Sequence, residues 1–64
     1  MKDKIIFVII QYRAQTVDHE YMPLWLYSRP LYVIKETPDT VIVRYNNSEF
    51  YTYEFKKEYI EKSL

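Results

Sequence analysis

No cysteine and no glycine occur in the 64 residues, alanine and histidine appear once each, and nine basic residues cancel nine acidic ones. Each absence removes a class of chemistry. Without cysteine there are no disulfides, no thiol nucleophile and no thiolate metal ligand. Without glycine there is no phosphate-cradling loop of the P-loop or dinucleotide-binding type, and no nucleophile elbow. A single histidine leaves the usual structural zinc sites out of reach of one chain. Zero net charge argues against a protein that grips nucleic acid chiefly through phosphates, because such domains carry a basic excess. A local basic patch is still compatible with it. Gly and Ala, encoded by GC-rich codons, are scarce, while Ile, Lys and Tyr abound. That bias points to an AT-rich genome, such as a low-GC bacterium or one of its phages.

What is present is apolar and aromatic. Hydrophobic residues make up 48% and aromatic residues 19%, with eight tyrosines, three phenylalanines and one tryptophan. Disordered chains lack these residue types. A chain of this length buries only about 60% of the surface that its unfolded form exposes, so its stability rests on dense apolar burial or on pairing with a second copy. One domain over residues 1–64 is expected. The charged start Met1-Lys2-Asp3-Lys4 before six apolar residues imitates a signal peptide. The apolar run is one residue short, however, and no small-residue cleavage site follows. It is also too short to span a bilayer. A cytoplasmic protein without a membrane association is expected.

Residues 4–13 read as a first strand, because Ile5 to Ile10 are β-branched or aromatic without interruption. Both of its faces are apolar, the pattern of a strand covered on both sides or paired across a dimer. Residues 14–22 read as a loop or as a short helical turn capped by Thr16 and stopped by Pro23. Residues 24–27 read as a second strand, Leu31–Glu36 as a third, residues 40–45 as a fourth and residues 49–55 as a fifth. Thr37-Pro38-Asp39 suits a type I hairpin turn. Asn46-Asn47-Ser48 suits a tight hairpin in which asparagine replaces the missing glycine. Residues 56–64 read as a short helix or a tail, with Lys57–Glu61 and Glu58–Lys62 as four-residue charge pairs. The expected fold is all-β: a five-stranded antiparallel meander curled into a small SH3-like barrel, with a short C-terminal helix.

A three-residue last loop places Tyr45 opposite Glu49, Val43 opposite Tyr51 and Val41 opposite Tyr53. Leu31, Val33, Val41, Val43, Tyr51, Tyr53 and Phe55 then share one apolar face. Tyr32, Ile34, Ile42, Arg44, Phe50 and Thr52 share the other, which is too apolar to be fully wet. That second face is either a contact site or is covered by the first strand. A two-residue loop would instead pair Arg44 with Glu49 and turn one strand over.

Asp18-His19-Glu20 is the one cluster with a catalytic look, since an acid beside a histidine sets its tautomer. No serine is positioned to serve it, and neighbouring strand residues point to opposite faces. It reads as a solvated polar turn. No catalytic residue, metal ligand or cofactor is expected, and the chain is read as a non-enzyme. Tyrosine, tryptophan and arginine dominate contact hot spots. The partner-binding candidates are therefore Tyr12, Arg13, Trp25, Tyr27, Arg29, Tyr32, Ile34, Arg44 and Phe50. The leading expectation is a protein-interaction module, an inhibitor or adaptor of a phage or mobile element (anti-defence proteins included) that occludes a site on a host protein and itself forms a homodimer. The alternatives are a small barrel that stacks nucleic-acid bases or nucleotides on Trp25, Tyr27, Tyr32 or Phe50, and a structural subunit of a larger assembly.

Overall fold

The structure, a computed structural model, describes residues 6–64. Residues 1–5, which hold the charged start and the expected beginning of the first strand, lie outside the described residues. The fold is all-β. Strand β1 (Phe7–Ile10) lies inside a five-stranded antiparallel sheet with β2 (Leu31–Glu36), β3 (Thr40–Arg44), β4 (Thr52–Lys56) and β5 (Ile60–Ser63), in the order β4-β3-β2-β1-β5. Strands β1 to β4 form a meander, and the chain then returns so that β5 lies against the far side of β1. β4 and β5 are opposite edges, so the sheet is open and not closed into a barrel. No helix among the described residues is long and apolar enough to cross a membrane.

Two expected elements are corrected. Residues 24–27 are not a strand but part of a 3-10 turn, Leu24–Ser28. The neighbours Leu26 and Tyr27 are both buried while Leu24 and Trp25 are both exposed, and a strand would alternate. Pro23 opens the turn, and Pro23 O and Leu26 O accept from the N–H groups three residues on. The C-terminal helix over residues 56–64 is also absent. A single 3-10 turn, Lys57–Tyr59, leads into β5. Nine residues cannot hold a helix alone, whereas the free edge of β1 supplies a ladder for them. The charge pair of Lys57 is correspondingly not Glu61 but Glu36, at 2.6 Å.

The two hairpins follow their turn residues. Thr37 Oγ1 accepts from Thr40 N at 2.9 Å and Asp39 N at 3.3 Å, and neither Pro38 nor Asp39 has a positive φ. The β3–β4 connection is longer than expected. Asn46 and Asn47 take left-handed conformations (φ 53° and 59°), Ser48 Oγ accepts from Phe50 N, and Glu49–Tyr51 form a 3-10 turn. Val43 therefore lies opposite Tyr53, and Val41 opposite Phe55. Each partner has moved by two residues from the expected register. An even shift keeps every strand side chain on its face, so the inward set survives, while Phe50, expected on the second face, leaves the sheet for the 3-10 turn. Leu31, Val41, Val43 and Phe55 are fully buried, and Val33, Tyr51 and Tyr53 pack against them. Val8, Ile10, Ala14, Met22, Leu26 and Tyr27 complete the core. Each fully buried aliphatic or aromatic side chain contributes about 1.5–3 kcal/mol.

The long connection between β1 and the Leu24–Ser28 turn is a folded loop. Thr16 is buried, and its hydroxyl accepts from Asp18 N (3.2 Å) and Glu20 N (3.1 Å). It thus caps a tight turn rather than a helix. Gln15 and Tyr21 pair across the base of that turn. The loop reaches across the molecule, and Val17 N donates to Glu54 O on the outer edge of β4 at 3.0 Å. Its base is clamped by Tyr27, which is only 3% exposed. The Tyr27 hydroxyl donates to Ala14 O (2.7 Å) and accepts from Met22 N (3.0 Å).

Tyr27→Phe keeps the ring and leaves both backbone groups without their partner. A buried unsatisfied polar group costs about 1–3 kcal/mol. The urea midpoint of this variant is expected to fall accordingly with an unchanged slope. An unaltered midpoint would mean that the clamp contributes nothing to folding.

Candidate functional site

The 3-10 turn that buries Leu26 and Tyr27 turns Trp25 outward, where it is 44% exposed. Two tyrosines meet it there. Tyr45 follows β3 and Tyr51 ends the Glu49–Tyr51 turn, and the two are joined by the Tyr45 N to Tyr51 O hydrogen bond at 3.0 Å. Trp25 stands edge-to-face on both, with centroids 5.1 Å from Tyr45 and 5.5 Å from Tyr51, and the tyrosines are 6.2 Å apart. The guanidinium of Arg29 lies over the Trp25 ring at 5.8 Å. Such ring pairs contribute about 0.5–1.5 kcal/mol beyond burial, and an exposed cation–π contact about 0.5–1 kcal/mol. The cluster is therefore preformed while still bare to solvent. Phe50, at the tip beside Tyr51, is 90% exposed.

The triangle of rings is closed. With centroids this near one another the rings fill the space between themselves, so no alkylammonium can enter as it does in an aromatic cage. What the cluster offers is an outer surface, with apolar ring area, two tyrosine hydroxyls and one cation.

A second exposed region lies on the outer face of the sheet. Phe7 stands opposite Tyr32, and Tyr32 opposite Arg44. The Phe7 and Tyr32 rings meet edge-to-face at 5.6 Å, and Arg44 Nε donates to Thr52 Oγ1 at 2.9 Å. Ile34 sits at a register shift between Val33 and Lys35, on the same side as Ile42. The first strand does not cover this face. It lies beside β2 and extends it.

The nine candidates thus fall into four places. Trp25, Arg29 and Phe50 belong to the aromatic cluster, and Tyr32, Ile34 and Arg44 to the outer face. Tyr12 and Arg13 lie exposed at the start of the long loop, where Arg13 takes a φ of 66° and Tyr12 packs edge-on against Tyr27. Tyr27 is a core residue and cannot meet a partner. Tyr45, Tyr51, Phe7 and Leu64, which is exposed and whose N–H donates to Phe7 O at 2.8 Å, are not among the candidates although they build the two exposed regions. A strand register with Tyr45 opposite Tyr51 is the signal that finds the first pair. Asp18, His19 and Glu20 are exposed at the loop tip, and His19 has a φ of 65°. Among the described residues no three His, Asp or Glu side chains gather as a metal site. A shallow cleft of about 230 Å³ beside His19 is lined by Gln15, Thr16, Val17, Lys56 and Tyr59. No carboxylate lines it with the histidine.

Two tyrosine hydroxyls are shifted. Burial pushes Tyr27 above the ordinary 10.0, against the opposing hydrogen bond from Met22. Burial also raises Tyr53, helped by the charges of Tyr51 and Glu20. A raised folded value means that the neutral hydroxyl supports folding fully below the ordinary value, and that this support is lost as pH rises through the folded value. Part of the tyrosinate absorbance is expected to develop only above the ordinary range, and Tyr27→Phe to remove a share of that late part. A titration with no late component would contradict the burial of Tyr27.

Phe50→Ala is expected to change stability by less than about 0.5 kcal/mol, as surface substitutions do. Tyr45→Ala, which removes a ring from both Trp25 and Tyr51, is expected to cost about 1 kcal/mol or more. Equal losses in denaturant melts would show that the cluster is not a packed unit. No protein family, no curated protein and no solved structure matches this chain.

Proposed function

We propose that the chain is a small non-enzymatic interaction module of phage or mobile-element origin, which occludes a site on a host protein in the cytoplasm. The observation that carries this reading is the preformed, half-bare Trp25–Tyr45–Tyr51 cluster with Arg29 over it and Phe50 beside it. Rigid rings held by their neighbours lose little freedom on binding, and Trp, Tyr and Arg are the residues that dominate contact energies. The closed triangle favours an extended surface over a small cation. The SH3-like reading is supported by the register shifts at Ile34 and at Ile9/Ile10, which fit a bend in the open sheet.

A second reading, nucleic-acid binding, rests on Phe50, whose ring is free to stack on a base. The zero net charge weighs against it.

A photoreactive side chain in place of Phe50 tests the first reading without disturbing the core. In lysate of a low-GC bacterium it is expected to cross-link one predominant protein, and Trp25→Ala with Arg29→Glu to abolish that product. A cross-link indifferent to both substitutions would move the contact elsewhere. Saturable quenching of Trp25 fluorescence by single-stranded oligonucleotides, lost at high salt, would favour the second reading instead.

A further inference from the structure

We infer that the outer face of the sheet packs against the same face of a second copy, around a twofold axis lying in the interface and passing by Tyr32. The face is apolar at its centre. Phe7, Tyr32, Ile34 and Leu64 are each between 38% and 54% exposed, and Ile9 and Ile42 are half-buried among them. These four side chains alone leave roughly 350 Å² of apolar surface bare, within the roughly 300–600 Å² of the largest patch on a typical monomer, which is often functional. The stems of Arg44, Lys35 and Lys62 extend it toward the roughly 800 Å² that each partner brings to an interface of standard size.

Charge selects a second copy over another occupant. Lys62 lies on β5 beside Ile9, and Glu54 lies on β4 beside Ile42. Strands stand about 4.8 Å apart and rise about 3.3 Å per residue. On that lattice Lys62 is two strands and two residues from Tyr32 in one direction, and Glu54 is two strands and two residues from it in the opposite direction. The two charges are therefore mirror positions about Tyr32. An in-plane twofold axis perpendicular to the line joining them sets each copy's Lys62 over the partner's Glu54. The same rotation carries Phe7 onto the partner's Ile34 and Ile42. Apolar thus meets apolar, and Lys62 meets Glu54 twice by symmetry. Among the described residues neither Lys62 nor Glu54 has an ion pair within its own chain. The Glu54 carboxylate accepts from the Thr40 hydroxyl, at 2.7 Å.

Sedimentation velocity across a dilution series of the full chain tests this. The wild type is expected to be a dimer that dissociates on dilution, and Phe7→Asp to sediment as a monomer. Lys62→Glu and Glu54→Lys are each expected to raise the dissociation constant roughly tenfold or more, by placing like charges together. The combined Lys62→Glu/Glu54→Lys variant is expected to return toward the wild-type value. That recovery cannot come from lost folding, and thermal melts check each variant. A wild type that is monomeric throughout overturns the inference and leaves the face to a different protein. A dimer that ignores Phe7→Asp, or charge reversals that do not compensate, overturns it as well. Trp25→Ala and Arg29→Glu are expected to leave the mass unchanged, so the partner-binding cluster and the dimer face succeed or fail separately.

Discussion

One phenolic hydroxyl joins the parts of this molecule that the sheet alone would leave apart. Tyr27 sits in the 3-10 turn, its ring lies in the core, and its oxygen binds the two ends of the connection that leaves β1, at Ala14 and at Met22. With that base closed, the loop can project and set Val17 on the outer edge of β4. Trp25 is placed by the same constraint. It is turned outward because the two residues that follow it are held inward. Core, loop and aromatic cluster thus share one anchoring point, which a chain without disulfides needs, since its small core leaves little spare stability.

The absence of glycine shapes the rest. Among the described residues four take left-handed conformations: Arg13, His19, Asn46 and Asn47. Such a conformation costs roughly 1–2 kcal/mol for an ordinary residue and less for asparagine, whose short polar side chain can bond locally. Asparagine takes it at the β3–β4 tip. In the long loop, Arg13 and His19 take it where turn hydrogen bonds end, Ala14 N to Gln11 O and His19 N to Thr16 O. His19 is therefore explained as a turn residue, in keeping with a solvated polar turn at that position.

Much of the sheet was legible because its signals are local. The limits of β2 match their apolar and turn residues, and the Thr37-Pro38-Asp39 turn is set by the threonine hydroxyl that follows from its composition. The buried face was legible even though the register was not, since parity alone decides which side a residue faces. What could not be read depends on distant partners. Residues 60–63 are a strand because β1 has a free edge, a fact absent from their own composition. Residues 24–27 look like a strand because four apolar residues in a row fit either element, and only the core decides that Leu26 and Tyr27 turn in together. Trp25 and Arg29 were recognisable as contact residues by type. Their companions Tyr45 and Tyr51 were not, because the hydrogen bond that joins them belongs to a register two residues away from the simplest one.

The five residues between Tyr45 and Tyr51 carry a consequence for how such a chain can change length. Removing two of them restores a shorter hairpin with Val41, Val43, Tyr53 and Phe55 still turned inward. Removing one turns β4 over, sending Phe55 to water and Glu54 into the core. Insertions and deletions at this tip would thus be tolerated in even steps, a rule of arithmetic imposed by the pleat on the evolution of the loop.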